Sequence, residues 1–183
     1  MARRTAWTAT TVAVSLALLA ALLTPVATAH PGATHGPRAA LTSLESGVLQ
    51  RLNAIRVQHR LVPLELSAEL TESAAAHTRE MEQDGYFAHS SADGTVFWKR
   101  IQHWYAQGTY GFWSVGENLL WSAPDIGAPG ALRLWMSSPE HRANILDPNW
   151  REIGVSAQHV ASAPGAYKGL EVTVITTDFG VRR

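Results

Sequence analysis

A chain of 183 residues with 15 basic and 15 acidic side chains and no cysteine excludes several classes at once. Balanced charge argues against a nucleic-acid or anionic-membrane partner, which needs clustered basic residues. The lack of cysteine excludes disulfide staples, thiol catalysis and cysteine metal sites.

The first segment reads as targeting rather than fold. Arg3 and Arg4 supply a positive start, residues 12–23 an apolar run, and Ala27-Thr28-Ala29 a small-residue cleavage site. Together they form a secretory signal peptide over 1–29, which makes the expected localisation extracellular. The run falls short of the roughly 20 residues of a spanning helix, so no membrane span is expected after cleavage. Cleavage leaves a slightly acidic chain of roughly 150 residues, one domain and an expected monomer. Trp98, Trp104, Trp113, Trp121, Trp135 and Trp150 remain after cleavage, and large rings of this kind make up for missing staples by core packing.

Residues 30–40 lack an apolar period and read as a flexible mature N-terminus, with His30 and His35 solvated. From Leu41 to His59, Leu41, Leu44, Val48, Leu52 and Ile55 recur at helical spacing, and Thr42 with Glu45 forms a capping box. Ser67 caps a second helix that ends at Gly85 in a left-handed cap. His77 in its middle reads as a buried histidine satisfied by a neighbour.

Tyr86 and Phe87 pin the backbone ahead of His89, which gives that imidazole a fixed direction. Val96, Phe97, Ile101 and Trp104 give a short helix, and 108–114 reads as an aromatic loop. Glu117 follows, between a glycine and an asparagine and flanked by Val115, Leu119, Leu120 and Trp121. A carboxylate in such surroundings is poorly hydrated and needs a cation, a histidine or several backbone donors. Otherwise it caps a turn.

Residues 122–130 read as a loop feeding a helix over 131–136 that stops at Ser137 and Ser138, because Pro139 disfavours helical geometry in the residue before it. His141 is then expected just past a helix end, facing a groove, with Ile145 and Leu146 turned inward. After Pro148 the alternation of Ile153, Val155 and Ala157, and of Leu170, Val172, Val174 and Thr176, predicts two strands. The stretch 161–169 joins them as an antiparallel pair.

Five segments in this order, Phe87-Ala88-His89-Ser90, Gly116-Glu117-Asn118-Leu119, Trp135 to Leu146, Ile153-Gly154-Val155 and Asp178-Phe179-Gly180, resemble the CAP superfamily. That superfamily holds the cysteine-rich secretory proteins, antigen 5 and the plant pathogenesis-related proteins, and the similarity is to its cysteine-free bacterial members. The resemblance covers roughly 44–180 and sets the expected domain at 41–183. It implies an α+β fold, a three-layer α-β-α sandwich with a small antiparallel sheet between helices. It also implies a cleft holding His89, Glu117 and His141. Many eukaryotic members carry a second glutamate where this chain has Ser138, and Glu140 does not stand at that position.

Three functions follow as expectations. The first is a secreted, non-catalytic module that holds a small apolar, lipid-like or cell-envelope ligand in the His/Glu cleft, with Tyr110, Phe112, Trp113 and Trp121 as the aromatics to examine. The second is a metal-assisted hydrolase of peptide or envelope material, with Glu117 as candidate base and zinc on His89 and His141. Two protein ligands are fewer than the usual three of catalytic zinc, so no cofactor is required and the hydrolase ranks below the binding role. The third is a protein-interaction domain in which a His-Glu-His cluster is structural. Ser90 and Ser138 lack a nucleophile-elbow pattern.

Overall fold

A computed structural model describes residues 40–183; the segment expected to be a signal peptide, His30 and His35 lie outside the described residues. In chain order the elements are α1 (Ser43–Gln58), β1 (Glu65–Leu66), α2 (Ala68–Asp84), α3 (Phe97–Trp104), β2 (Trp113–Ser122), α4 (Ala128–Ser137), α5 (Pro139–Ile145), β3 (Glu152–Val160), a 3-10 turn (Gly165–Tyr167) and β4 (Val172–Arg182). The strands form one sheet in the order β1-β3-β4-β2. Its long pairs, β3 with β4 and β4 with β2, are antiparallel, while the short β1 runs parallel to β3.

Local chemistry sets the helix ends. The Thr42 and Glu45 capping box closes α1, with Glu45 N–H donating to Thr42 Oγ1 at 3.2 Å and Thr42 N–H to Glu45 Oε2 at 2.8 Å. The other carboxylate oxygen of Glu45 accepts from Ala157 N–H at 3.0 Å, which fastens α1 to β3. Ser67 caps α2, and Gly85 closes it in the left-handed region at φ 69°.

Helices cover both faces of the sheet. On one, Val48 and Leu52 of α1, Trp135 of α4 and Ile145 of α5 pack with Ile153, Val155, Ile175, Phe179 and Val181. On the other lie α2 and α3. There Thr78 donates to Thr176 at 2.9 Å, and Leu70, Ile101 and Tyr105 form a cluster with Phe97, Trp113 and Val115 at its margin. This is the α-β-α sandwich. Arg56, fully buried, ties α1 to the end of α5 by donating to the carbonyls of Ile145 and Asp147 at 2.8 and 2.9 Å.

One open alternative is closed and two local expectations are corrected. The segment around Glu117 is not a turn: it lies inside β2, an edge strand of the sheet. The odd-numbered residues Trp113, Val115, Glu117, Leu119 and Trp121 face α2 and α3, so a carboxylate interrupts what would be an apolar stripe and hides the period of two. The helix expected over 131–136 starts earlier, with Gly127 as cap and Pro129 in its first turn. Pro139 does end α4, but it also starts α5, so His141 sits within a helix rather than beyond one.

Gly154 of β3 lies directly beneath the first turn of α2. A β-carbon there would come within 2.1 Å of the Leu70 carbonyl carbon, a clash with backbone that no side-chain motion relieves. Gly154→Ala is therefore expected to lower stability by about 3 kcal/mol, read from equilibrium denaturation. A loss below about 1 kcal/mol would show that α2 does not seat on the sheet at this point.

Candidate functional site

The cleft opens beside the free edge of β2, between the 85–96 connection and α3 on one side and α5 on the other. Its volume is about 340 Å³, and its lining includes His89, Phe97, Val115, Glu117, Glu140, His141 and Asn144. That volume is at the small end of ligand sites.

Glu117 is its buried centre. From β2 its carboxylate reaches away from the sheet, and Oε1 accepts the Nδ1–H of His89 at 2.7 Å. Arg100 of α3 donates to Oε2 through one guanidinium nitrogen, and to the main-chain oxygen of His89 at 2.9 Å through another. One arginine thus fixes both the carboxylate and the backbone of its histidine partner. Phe97, Arg100, Ile101 and Trp104 have i, i+3, i+4, i+7 spacing, so Arg100 stands on the apolar stripe of α3. A charge on a buried stripe was the signal that sequence reading passed over.

His77 lies beneath this group. It is fully buried; its Nε2–H donates to the Ala88 carbonyl at 2.9 Å, and the same nitrogen is 4.0 Å from Glu117 Oε2. Burial pushes its pKa below the ordinary histidine value, which keeps the ring neutral. Glu80 of the same helix accepts from Ala92 N–H at 3.0 Å. His77 and Glu80 hold the two ends of the segment that presents His89.

Asp178 faces Glu117 across the β2–β4 ladder. It is completely buried, with the side chains of Ser73 and Glu117 beside its carboxyl. Burial first, and the charge of Glu117 second, hold this carboxyl well above the usual carboxylate range. Arg100 is the cation that acts on both acids.

On the far side, Asn118 Nδ2 donates to the His141 carbonyl at 3.0 Å, and Asn144 Nδ2 donates to the Glu117 carbonyl and to Asn118 Oδ1, each at 3.0 Å. These amides lock α5 to β2. His141 is half-buried, and burial followed by repulsion from His89 lowers its pKa. Glu140, set aside on sequence grounds, is exposed and lines the cleft next to it. Ser138 is the cap between α4 and α5 and is not among the residues lining the cleft.

The structure therefore brings His89, Glu117 and His141 to one cleft, but in unequal roles. His89 and His141 turn toward the opening, whereas Glu117 has an oxygen on each of two partners. Among the described residues no group of three or more His, Cys, Asp or Glu side chains is placed to hold a metal ion. The aromatic rim is elsewhere than expected. Tyr110 and Phe112 are 47% and 43% exposed, yet they sit against Arg182 and Arg183. Trp113 donates to the Tyr105 carbonyl and Trp121 packs edge-on to Tyr167. Phe97 is the aromatic ring in the cleft lining.

A separate apolar groove of about 300 Å³ runs between α1 and α4, with Ala54, Ile55, Leu132 and Met136 in its walls and Arg51 and Arg133 beside them. No helix among the described residues is long and apolar enough to cross a membrane.

The chain belongs to the CAP family, the cysteine-rich secretory protein family, whose model matches residues 49–174. It is 31% identical over 114 residues to the uncharacterized membrane protein YlbC of Bacillus subtilis, covering 62% of this chain and 31% of that one. It is 30% identical over 133 residues to the uncharacterized protein YkwD of the same organism, covering 72% of this chain and 49% of that one. The chain thus spans less than half the length of either relative. Its fold is similar to that of an outer surface protein from Borrelia burgdorferi, with a TM-score of 0.60 at 16% identity over 81% of this chain and 100% of that one.

The His89–Glu117 pair has a definite pH signature. The hydrogen bond to Glu117 raises the His89 pKa above its ordinary 6.5, against an opposing effect of partial burial. The raised value means that the folded state holds the proton more tightly, so the pair's contribution is full below the ordinary histidine value and is lost as pH rises through the folded one. Thermal unfolding from about pH 5 to 9 should show the largest gap between the protein and His89→Gln at the acid end, closing toward the alkaline end. A gap that widens with pH would contradict the pairing.

Proposed function

We propose that this protein is a secreted, non-catalytic binding module whose cleft takes a polar ligand of the cell envelope. The observation that carries the reading is the engagement of Glu117 at both oxygens, by His89 and Arg100. A general base must reach the proton it removes, and Glu117 would first have to leave both of these partners. It serves instead to hold His89. The ligand then meets the Nε2 side of His89, the ring of His141, and Glu140 and Asn144. These groups suit hydroxyls, amides and carbonyls better than a hydrocarbon chain. A divalent ion entering the cleft would be held by His89 and His141 with Glu117 behind the first imidazole, and would supply Lewis acidity to the bound ligand.

A second reading rests on the groove between α1 and α4. Its apolar walls and its two arginines suit an apolar chain with an anionic end, so a lipid-like ligand is better matched there than in the cleft.

Titration with soluble disaccharide-peptide fragments of bacterial cell wall, followed by NMR, tests the first reading. The imidazole resonances of His89 and His141 should shift, His141→Ala should weaken binding about tenfold, and the fragments should be recovered intact. Cleavage of the fragments that is lost in His141→Ala would overturn the non-catalytic reading in favour of a hydrolase. Shifts confined to α1 and α4 would favour the groove.

A further inference from the structure

We propose that the cleft binds an extended peptide by adding its backbone to the open edge of β2, an inference that rests on reading the cleft as a binding site.

β2 is one of the two edge strands, paired with β4 on one side only. Just before it, Phe112 and Arg183 exchange both backbone hydrogen bonds, at 2.9 and 3.1 Å. In an antiparallel ladder such pairs alternate with pairs whose N–H and C=O point away. Counting along the strand, Trp113, Val115, Glu117, Leu119 and Trp121 direct their backbone groups off the sheet. Two side chains agree independently: Asn144 donates to the Glu117 carbonyl, and Trp135 Nε1 donates to the Leu119 carbonyl, each at 3.0 Å. Helices α4 and α5 thus cover one part of this edge, as folds commonly do to prevent unwanted pairing.

Covering stops at the cleft. The Val115 N–H, the Val115 carbonyl and the Glu117 N–H have no partner among the described residues, and both residues line the cavity. In order they offer a donor, an acceptor and a donor. That is the set an antiparallel strand needs: one residue exchanges both its bonds with Val115, and the residue two positions earlier gives its carbonyl to the Glu117 N–H. Because Asn144 already occupies the Glu117 carbonyl, the earlier residue has no acceptor for its own N–H. The added strand therefore begins opposite Glu117 and runs toward Trp113.

Side-chain preferences follow from the pleat. The residue opposite Val115 projects to the side of Phe97 and His89, where an apolar group fits. The residue before it projects to the α5 side, where Glu140 and His141 stand and a basic group is complementary.

The test uses acetyl-Ala-Lys-Leu-Gln-amide, with Leu opposite Val115 and Lys beside Glu140, titrated into the isotope-labelled protein. The amide protons of Val115 and Glu117 should move downfield and exchange at least about tenfold more slowly at saturation. Methylation of the Leu nitrogen, which removes the donor to the Val115 carbonyl, should weaken binding about tenfold. Val115→Pro deletes a donor that points off the sheet, a position where an edge strand tolerates proline, and should weaken binding similarly. Should that variant fail to fold, the methylated peptide decides the matter alone. Equal binding of both peptides, or unmoved Val115 and Glu117 amides at about millimolar peptide, would overturn the proposal. A trimer of N-acetylglucosamine is run in parallel. If it shifts His89 and His141 while the peptide shifts nothing, the edge proposal is overturned and the cleft remains a binding site; if neither probe moves a cleft resonance, both readings fall.

Discussion

One carboxylate joins three pieces of chain that are separate in sequence. Glu117 stands on the edge strand, His89 on the connection after α2, and Arg100 on α3, and the side chains of the latter two end on the oxygens of the first. Removing either partner of a buried ion pair leaves the other charge uncompensated, at a cost of about 3–5 kcal/mol, so the three pieces hold one another in place. Arg100 extends the dependence by also gripping the His89 carbonyl. Without that grip the histidine, whose side chain is 52% exposed, would be a mobile surface group.

The opposite wall is fixed in a comparable way. Asn118 and Asn144 hold α5 against β2, and the buried Arg56 binds the carbonyls at the end of α5. Trp135, which fills the core under α4, also donates its N–H to the outer edge of β2. The cleft is therefore rigid on both sides before any ligand arrives, which lowers the ordering cost of binding. Asp178 adds a further demand. Two acids face one arginine in a dry region, and burial holds the carboxyl of the more deeply buried one, Asp178, well above the usual carboxylate range.

Much of this was legible in the chain. The capping box at Thr42, the Ser67 and Gly85 ends of α2, the break at Ser138 and the β3–β4 pair each rest on short-range chemistry that the residues declare. Glu117 stood out because a carboxylate among apolar neighbours must find a partner, His89 because two aromatics pin the backbone ahead of it, and His141 because it follows the break at Pro139; the resemblance to the CAP superfamily put the three in one cleft. What was hidden depended on tertiary pairing. β2 was concealed by Glu117 itself, a charge at an inward strand position. Arg100 was concealed because a long basic side chain on a short helix is usually solvated. Glu140 was passed over because a second helix after Pro139 is needed to bring it to the cleft beside His141. The aromatic rim was misplaced for a related reason: Tyr110 and Phe112 are exposed, but the chain's own terminal arginines stand against their rings.

The claim at the centre of this account is that Glu117 is a structural clamp. Its most direct test is the equilibrium unfolding free energy of Glu117→Gln at neutral pH, since the amide keeps the shape while removing the charge that Arg100 and His89 share. The account predicts a loss of at least about 2 kcal/mol. A loss under about 0.5 kcal/mol would contradict it and return Glu117 to the role of a carboxylate held ready for chemistry.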